Sequence, residues 1–257
     1  MRRLVATAAI AAATLLVAGP AAADPPGQTG AFTFRFGGFF PSGSSDFWDT
    51  QEDFYTLDHS DFNSVIGGVG YTASISNYFE VDVNADFYAA STRSSDRDFT
   101  DQDGFPIFHD ARLASFPATF GFRVLPAGRY ARRGAEGKRY VRRPVPYLGA
   151  GIGMTYWQYE EEGDFVFENF TVPPDDPLRF QVFYDRHTDT GLEFVTYAML
   201  GIEFPVAQNW NITVEVRQSW AEASLDGGFP STALSTTDPR RLELGGTSLF
   251  VGGALRF

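Results

Sequence analysis

Between Phe194 and Trp220 apolar and polar residues alternate one by one on either side of a short break. Thr196, Ala198, Leu200, Ile202 and Phe204 share one face, with Gly201 and Glu203 on the other. After Ala207-Gln208-Asn209, one face carries Trp210, Ile212, Val214, Val216 and Trp220, and the other Asn211, Thr213, Glu215, Arg217 and Ser219. Period-two alternation across a tight turn predicts a β-hairpin. Trp210 and Trp220 stand ten residues apart. At about 3.3 Å per residue and a tilt of about 40°, that is roughly 25 Å, the height of a lipid-facing band on membrane-spanning strands. Indole rings favour the two membrane interfaces, so both tryptophans are expected there.

The same alternation recurs along the chain. In residues 30–40, Phe32, Phe34, Phe36 and Phe40 oppose Thr33, Arg35, Gly37 and Phe39. Residues 62–75 set Val65, Val69, Tyr71, Ala73 and Ile75 against Ser64, Gly68, Gly70, Thr72 and Ser74. Next, Phe79, Val81, Val83, Ala85 and Phe87 oppose Glu80, Asp82, Asn84, Asp86 and Tyr88. Two more such strands start near Ala114 and Val145, and the last runs from about 247 to 257. Residues 41–61, 90–112, 159–190 and 221–246 read as polar loops. Within 159–190, DFVFENFTV and LRFQVFYDR flank PPDDP as a hairpin prolonging its two strands. A ten-stranded arrangement, with both segments as true spans, is the alternative. Asn169, Arg179 and Glu168 make a continuous apolar face hard to draw there.

Composition adds a compartment. The chain opens MRRLVATAAIAAATLLVAGPAAADPP, with two arginines, an apolar run and small residues before Asp24. This is the pattern of a secretory signal peptide, residues 1–23, leaving residues 24–257 as one domain. The apolar run is too short for a retained helix, which needs about 20 residues. The chain has no cysteine, so no disulfide or thiol-linked lipid is expected to hold it. Loss of Arg2 and Arg3 takes the formal charge from -12 to -14.

FPATFGFRVLP, a turn, VPYLGAGIGMTYW and the terminal SLFVGGALRF together resemble the small eight-stranded outer-membrane β-barrel family of Gram-negative bacteria. Its members include the OmpA membrane domain and the OmpX-like, OmpW-like and opacity-like proteins. The resemblance implies an all-β fold, an eight-stranded antiparallel up-and-down transmembrane barrel, in the cell outer membrane. Leu255 and Phe257 resemble the terminal signal by which the barrel-assembly machinery recognises such chains. Outer-membrane lipids and lipopolysaccharide are the other implied partners, with no nucleic acid, cofactor or metal, and the barrel is expected to be monomeric. No peptidoglycan-binding segment is expected after the barrel.

With periplasmic termini, the four long loops face outside, and they hold 24 acids against seven arginines. The turn at 127–143 is the reverse: Arg129, Arg132, Arg133, Lys138, Arg139, Arg142 and Arg143 against Glu136. A solvated turn is one reading, and contact with anionic headgroups or another anionic periplasmic partner is the other. Strand parity sends Arg35, Arg123, Arg217 and Arg256 inward with Glu80, Asp82, Asp86, Glu203 and Glu215. An eight-stranded lumen is only wide enough for side chains to fill. Buried charges must pair there, as a plug or as a narrow path. Trp157 joins Trp210 and Trp220 as an expected interface ring.

Catalytic chemistry finds little footing. His59, His109 and His187 all fall in outer loops, His59 and Ser60 point apart if extended, and GAGIGM misplaces the last glycine of G-x-G-x-x-G. Asp96, Asp98, Asp101 and Asp103 are the densest acidic cluster, without the spacing of an EF-hand. The expected role is structural or surface-interactive. Passage of small solutes, as in OmpW-like relatives, is the alternative, a lipid-modifying or proteolytic barrel comes third, and a soluble periplasmic barrel is the reading outside the membrane.

Overall fold

The computed structural model describes residues 29–101, 103–133, 139–168, 171–173, 180–225 and 240–257. The signal segment 1–23, Lys138, Asn169 and Arg179 lie outside them. Eight antiparallel strands close a barrel: β1 (Gly30–Pro41), β2 (Ser64–Ser74), β3 (Phe79–Thr100), β4 (Pro106–Val124), β7 (Val145–Glu168), β8 (Phe180–Pro205), β9 (Trp210–Trp220) and β12 (Gly246–Arg256). Each pairs with its neighbour in the chain, and β12 returns to β1. Two ribbons lie outside the ring: β5 (Tyr130–Arg133) with β6 (Arg139–Arg142), and β10 (Glu222–Leu225) with β11 (Arg240–Glu243).

The register fixes the barrel's width. Stepping from Pro205 through Asn211, Ala254, Thr33, Gly70, Asn84, Thr119 and Gly153 returns to β8 at Val195, ten residues away. That shift is about 33 Å along the strands, over a circumference of about 38 Å across them. The ratio gives a tilt of about 40° and a backbone radius of about 8 Å. Inward side chains from opposite walls therefore meet. Arg217 of β9 reaches Asp86 of β3, four strands away around the ring, at 3.1 Å.

The outer face is apolar on every strand. Phe34, Phe36, Val65, Phe87, Phe120, Ile152, Leu200, Val214 and Val251 are all exposed. In water so large a patch would drive aggregation, and in lipid it is the expected surface. A soluble barrel would invert this pattern, so that reading is corrected. The ten-stranded alternative is corrected too. Residues 159–168 and 180–193 continue β7 and β8, paired in unbroken register from Val145↔Glu203 to Glu168↔Phe180.

Segments read as polar loops carry regular structure, residues 221–246 among them with the β10–β11 ribbon. Residues 90–112 are the far ends of β3 and β4 around a turn at 101–105. Residues 41–61 hold a helix, α1 (Asp46–Phe54), and the start of a 3-10 turn (His59–Phe62). The basic turn is the β5–β6 ribbon, whose root is tied to the β2–β3 turn. There Tyr130 N donates to Asn77 Oδ1 at 2.8 Å and Arg129 N to Asn77 O at 2.8 Å. Phe257 is stitched to β1: its carbonyl accepts from Thr29 N and Gly30 N, and its own N–H donates to Gly30 O.

A charge-paired lumen beneath a capped mouth as candidate functional site

Parity along β1, β3, β4, β8, β9 and β12 aims nine charged side chains into one narrow space, and all nine are buried. They form two linked groups. Near the periplasmic end, Arg256 grips Glu203 with a two-pronged contact, Nε to Oε1 at 2.6 Å and Nη2 to Oε2 at 2.9 Å. It also reaches Glu80 at 3.4 Å. Asn211 donates to Glu203, and Ser74 Oγ donates to Glu80 at 2.8 Å.

Half-way up, Arg35 holds Asp86 through Nε and Nη2 at 2.8 and 2.7 Å. Arg217 bridges Asp86 at 3.1 Å and Glu215 at 2.8 Å. Arg123 lies between Asp82 and Glu215 at 3.6 and 3.7 Å. Tyr147 and Tyr197 hydroxyls donate to Glu215 and Asp82 at 2.8 and 3.1 Å. Both rings also lie beneath guanidinium groups, Tyr147 under Arg123 at 4.8 Å and Tyr197 under Arg217 at 4.5 Å. Planar, forked guanidinium groups suit such crowded pairing better than ammonium groups.

The nine residues read from parity comprise four arginines and five carboxylates. The structure supplies the missing cation, and it corrects the reading of the basic turn at one position. Arg129 does not stay in the ribbon's solvated part. Its side chain is 6% exposed and enters the barrel, 2.6 Å from Glu80 and 3.1 Å from Glu203. Five arginines then face five carboxylates, which removes the heavy cost of an unpaired buried charge. Parity could not have found Arg129, because it acts from beyond a strand end. Of the other basic residues, Arg143 is half-buried and donates to Gly128 O at 3.2 Å. Arg132, Arg133, Arg139 and Arg142 lie in the β5 and β6 segments.

The outer half of the lumen is filled differently. α1 lies in the mouth with Phe47, Trp48 and Gln51 buried. Phe47 meets Tyr159 edge-on at 5.1 Å, Trp48 lies 5.2 Å from Phe62, and Phe39 lies 4.7 Å from Tyr88. Gln51 Nε2 and the Tyr159 hydroxyl both donate to Glu161 Oε1, at 2.8 and 2.7 Å. Trp157 belongs to this cluster at 1% exposure. Its expected place at the membrane interface is therefore corrected: its neighbour Tyr156 faces lipid, so Trp157 faces in. Trp210 and Trp220 lie exposed at the two ends of the outer face of β9. Leu255 and the exposed Phe257 share an outward face beside Phe32, whose ring is 5.5 Å from that of Phe257.

Above the apolar belt, Glu160 is held from outside by Arg186 at 2.7 Å and Arg112 at 3.5 Å. The acidic cluster serves the turn between β3 and β4: Asp96 accepts from Asp98 N and Phe99 N, and Asp101 from Asp103 N and Phe105 N. The histidines go separate ways. His59 pairs with Glu52, while His109 stacks on Phe165 at 5.2 Å and His187 meets the same ring at 5.4 Å. Burial holds the His109 imidazole down at about 4, so it is neutral at pH 7.

A family model described as the outer membrane protein beta-barrel domain matches residues 8–238. No curated protein sequence matches the chain. Among solved structures, outer membrane protein OprG from Pseudomonas aeruginosa is similar at 14% identity and a TM-score of 0.48, over 90% of this chain and 97% of that one. Outer membrane protein W from Escherichia coli is similar at 17% identity and a TM-score of 0.35, over 90% and 99%. The outer membrane protease OmpT from Escherichia coli stands at 8% identity and a TM-score of 0.43, over 92% and 99%.

Proposed function

The chain belongs to the outer-membrane β-barrel protein family and lies in the cell outer membrane, and from that premise we propose that it works as a closed barrel. Its role on this reading is structural and interactive. The belt seats it in the bilayer, and the long β3–β4 and β7–β8 hairpins carry acidic residues to the cell surface. The observation that supports this most is the double closure of the lumen. Ten paired charges block the lower half, and α1 with its aromatic cluster blocks the mouth.

Lipids of both leaflets and lipopolysaccharide are its partners, with the assembly machinery acting during insertion, and it works as a monomer. Among the described residues the histidines contact carboxylates and aromatic rings.

One observation favours gated passage as the second reading. Between the two closures lies a small chamber, with Phe39, Ile66 and Val195 on its apolar side and Asp86, Arg217 and Ser248 on its polar side. Planar-bilayer recording separates the two. The wild-type barrel is expected to be silent, and so is a variant with residues 46–62 replaced by a short Gly-Ser linker, because the charged layer remains. Adding Arg217→Ala to that variant should produce steps. Stepwise conductance from the wild-type protein would overturn the closed-barrel reading.

A further inference from the structure

Outside the lumen, one group of metal-ligating side chains converges among the described residues: Glu52, Asp58 and His59. Glu52 ends α1, and Asp58 and His59 open the 3-10 turn that follows. His59 Nδ1 is 3.1 Å from Glu52 Oε1 and 3.3 Å from Asp58 Oδ1. All three ligand atoms lie within 4.8 Å of one another, and the two separations from His59 match the spacing of about 3.3 Å between ligands bound to one tetrahedral ion at about 2.0–2.1 Å. We propose that these three residues form a surface site for a zinc-like divalent cation, which fastens the cap over the mouth of the barrel.

Charge and rigidity both support the assignment. Residues 41–61 carry six acids and neither lysine nor arginine, so the triad lies in a strongly negative segment. The C-terminal end of α1 has no basic residue in its last turn, and the negative end of the helix dipole adds to that field. An imidazolium could answer with a single charge, whereas a divalent ion supplies two and bonds all three groups. The ligands are also held in place. Asp58 Oδ1 accepts from Ser60 N at 2.7 Å, and the His59 ring lies so close to Gly43 that a Cβ there would collide with it.

One imidazole with two carboxylates suits zinc or its first-row neighbours; calcium and magnesium prefer oxygen alone. All three side chains are more than a third exposed, which leaves room for water as a fourth ligand. Since Glu52 and the Asp58–His59 pair lie on either side of the chain's exit from α1, one ion would tie the helix to the turn that packs Phe62 beside Trp48. The proposal stands whether or not the lumen conducts.

Isothermal titration of the full-length, tag-free, detergent-folded barrel with zinc alone tests it. The expected result is one ion per chain with a micromolar Kd. His59→Ala and Glu52→Gln should each weaken binding at least 30-fold, and His187→Ala should leave it unchanged. Calcium in tenfold excess should not compete. Zinc should also slow hydrogen exchange in residues 46–62 of the wild-type chain and not of His59→Ala. Native gel mobility of each variant checks that it has folded. Failure to saturate below 1 mM, or an unchanged Kd in His59→Ala, overturns the site and leaves only an imidazole–carboxylate contact.

Discussion

His109 shows what a single buried group contributes to the outer hairpins. It is 2% exposed, between Tyr55 and Phe165, and burial lowers its imidazole to about 4 from 6.5. A base depressed on folding stays neutral in the closed state while the opened state takes up a proton below about pH 6.5. Closure is therefore at full strength above that pH and weakens as pH falls toward 4, by about 2 kcal/mol at pH 5. Hydrogen exchange across residues 90–112 should accelerate between pH 7 and pH 5, after correction for intrinsic rates. His109→Phe, which cannot take up a proton, should remove the acceleration; equal acceleration in both proteins would sink the account. At this scale most of the interior was legible in the sequence, because a strand's alternation assigns every second residue to the lumen. Trp157 obeys that alternation, and the error lay in reading a tryptophan by its preference and not by its neighbour Tyr156. Arg129 was beyond reach, since no periodicity runs through the turn that delivers it.

The elements divide the same way. The belt segments of the eight strands were readable because lipid on one side and charge on the other impose strict alternation. Beyond the bilayer that constraint lapses. There water replaces lipid on the outer face: Asp110 and Arg112 point out while Ile107, His109, Ala111 and Leu113 stay buried, so 90–112 looks like a loop while extending β3 and β4. α1 was equally hidden, because its apolar Phe47 and Trp48 are flanked by six acids within 41–61 and show no repeating pattern. The β5–β6 ribbon lies at the opposite end. Arg129 is used inside, yet Arg132, Arg133, Lys138, Arg139, Arg142 and Arg143 remain against Glu136, in a protein otherwise rich in acids. Basic residues near an anionic bilayer contribute about 1 kcal/mol each. Replacing Arg132, Arg133, Arg139 and Arg142 by serine should therefore reduce the barrel's preference for phosphatidylglycerol over phosphatidylcholine at least tenfold at low salt. Spin-labelled lipid measures the preference. An unchanged, equally salt-sensitive preference would assign the ribbon to a solvated role.

For the molecule as a whole, the exposed apolar girdle predicts its behaviour outside the membrane. The purified chain should need detergent to stay dissolved, and its gel mobility should shift on boiling as the barrel opens. A chain that stays monodisperse in plain buffer would contradict the lipid-facing reading of Phe34, Phe36 and their neighbours. The seam carries a further consequence. Ala31 pairs with Arg256, Phe32 with Leu255 and Arg35 with Gly252, so the first and last strands of the barrel lie side by side. Such distant pairings are slow to find one another, and until they do, two raw strand edges stay open to whatever else offers hydrogen bonds. A chain interrupted before Gly246, where β12 begins, thus has no smaller ring to settle for, and its seven remaining strands would be left as a sticky, unfinished sheet.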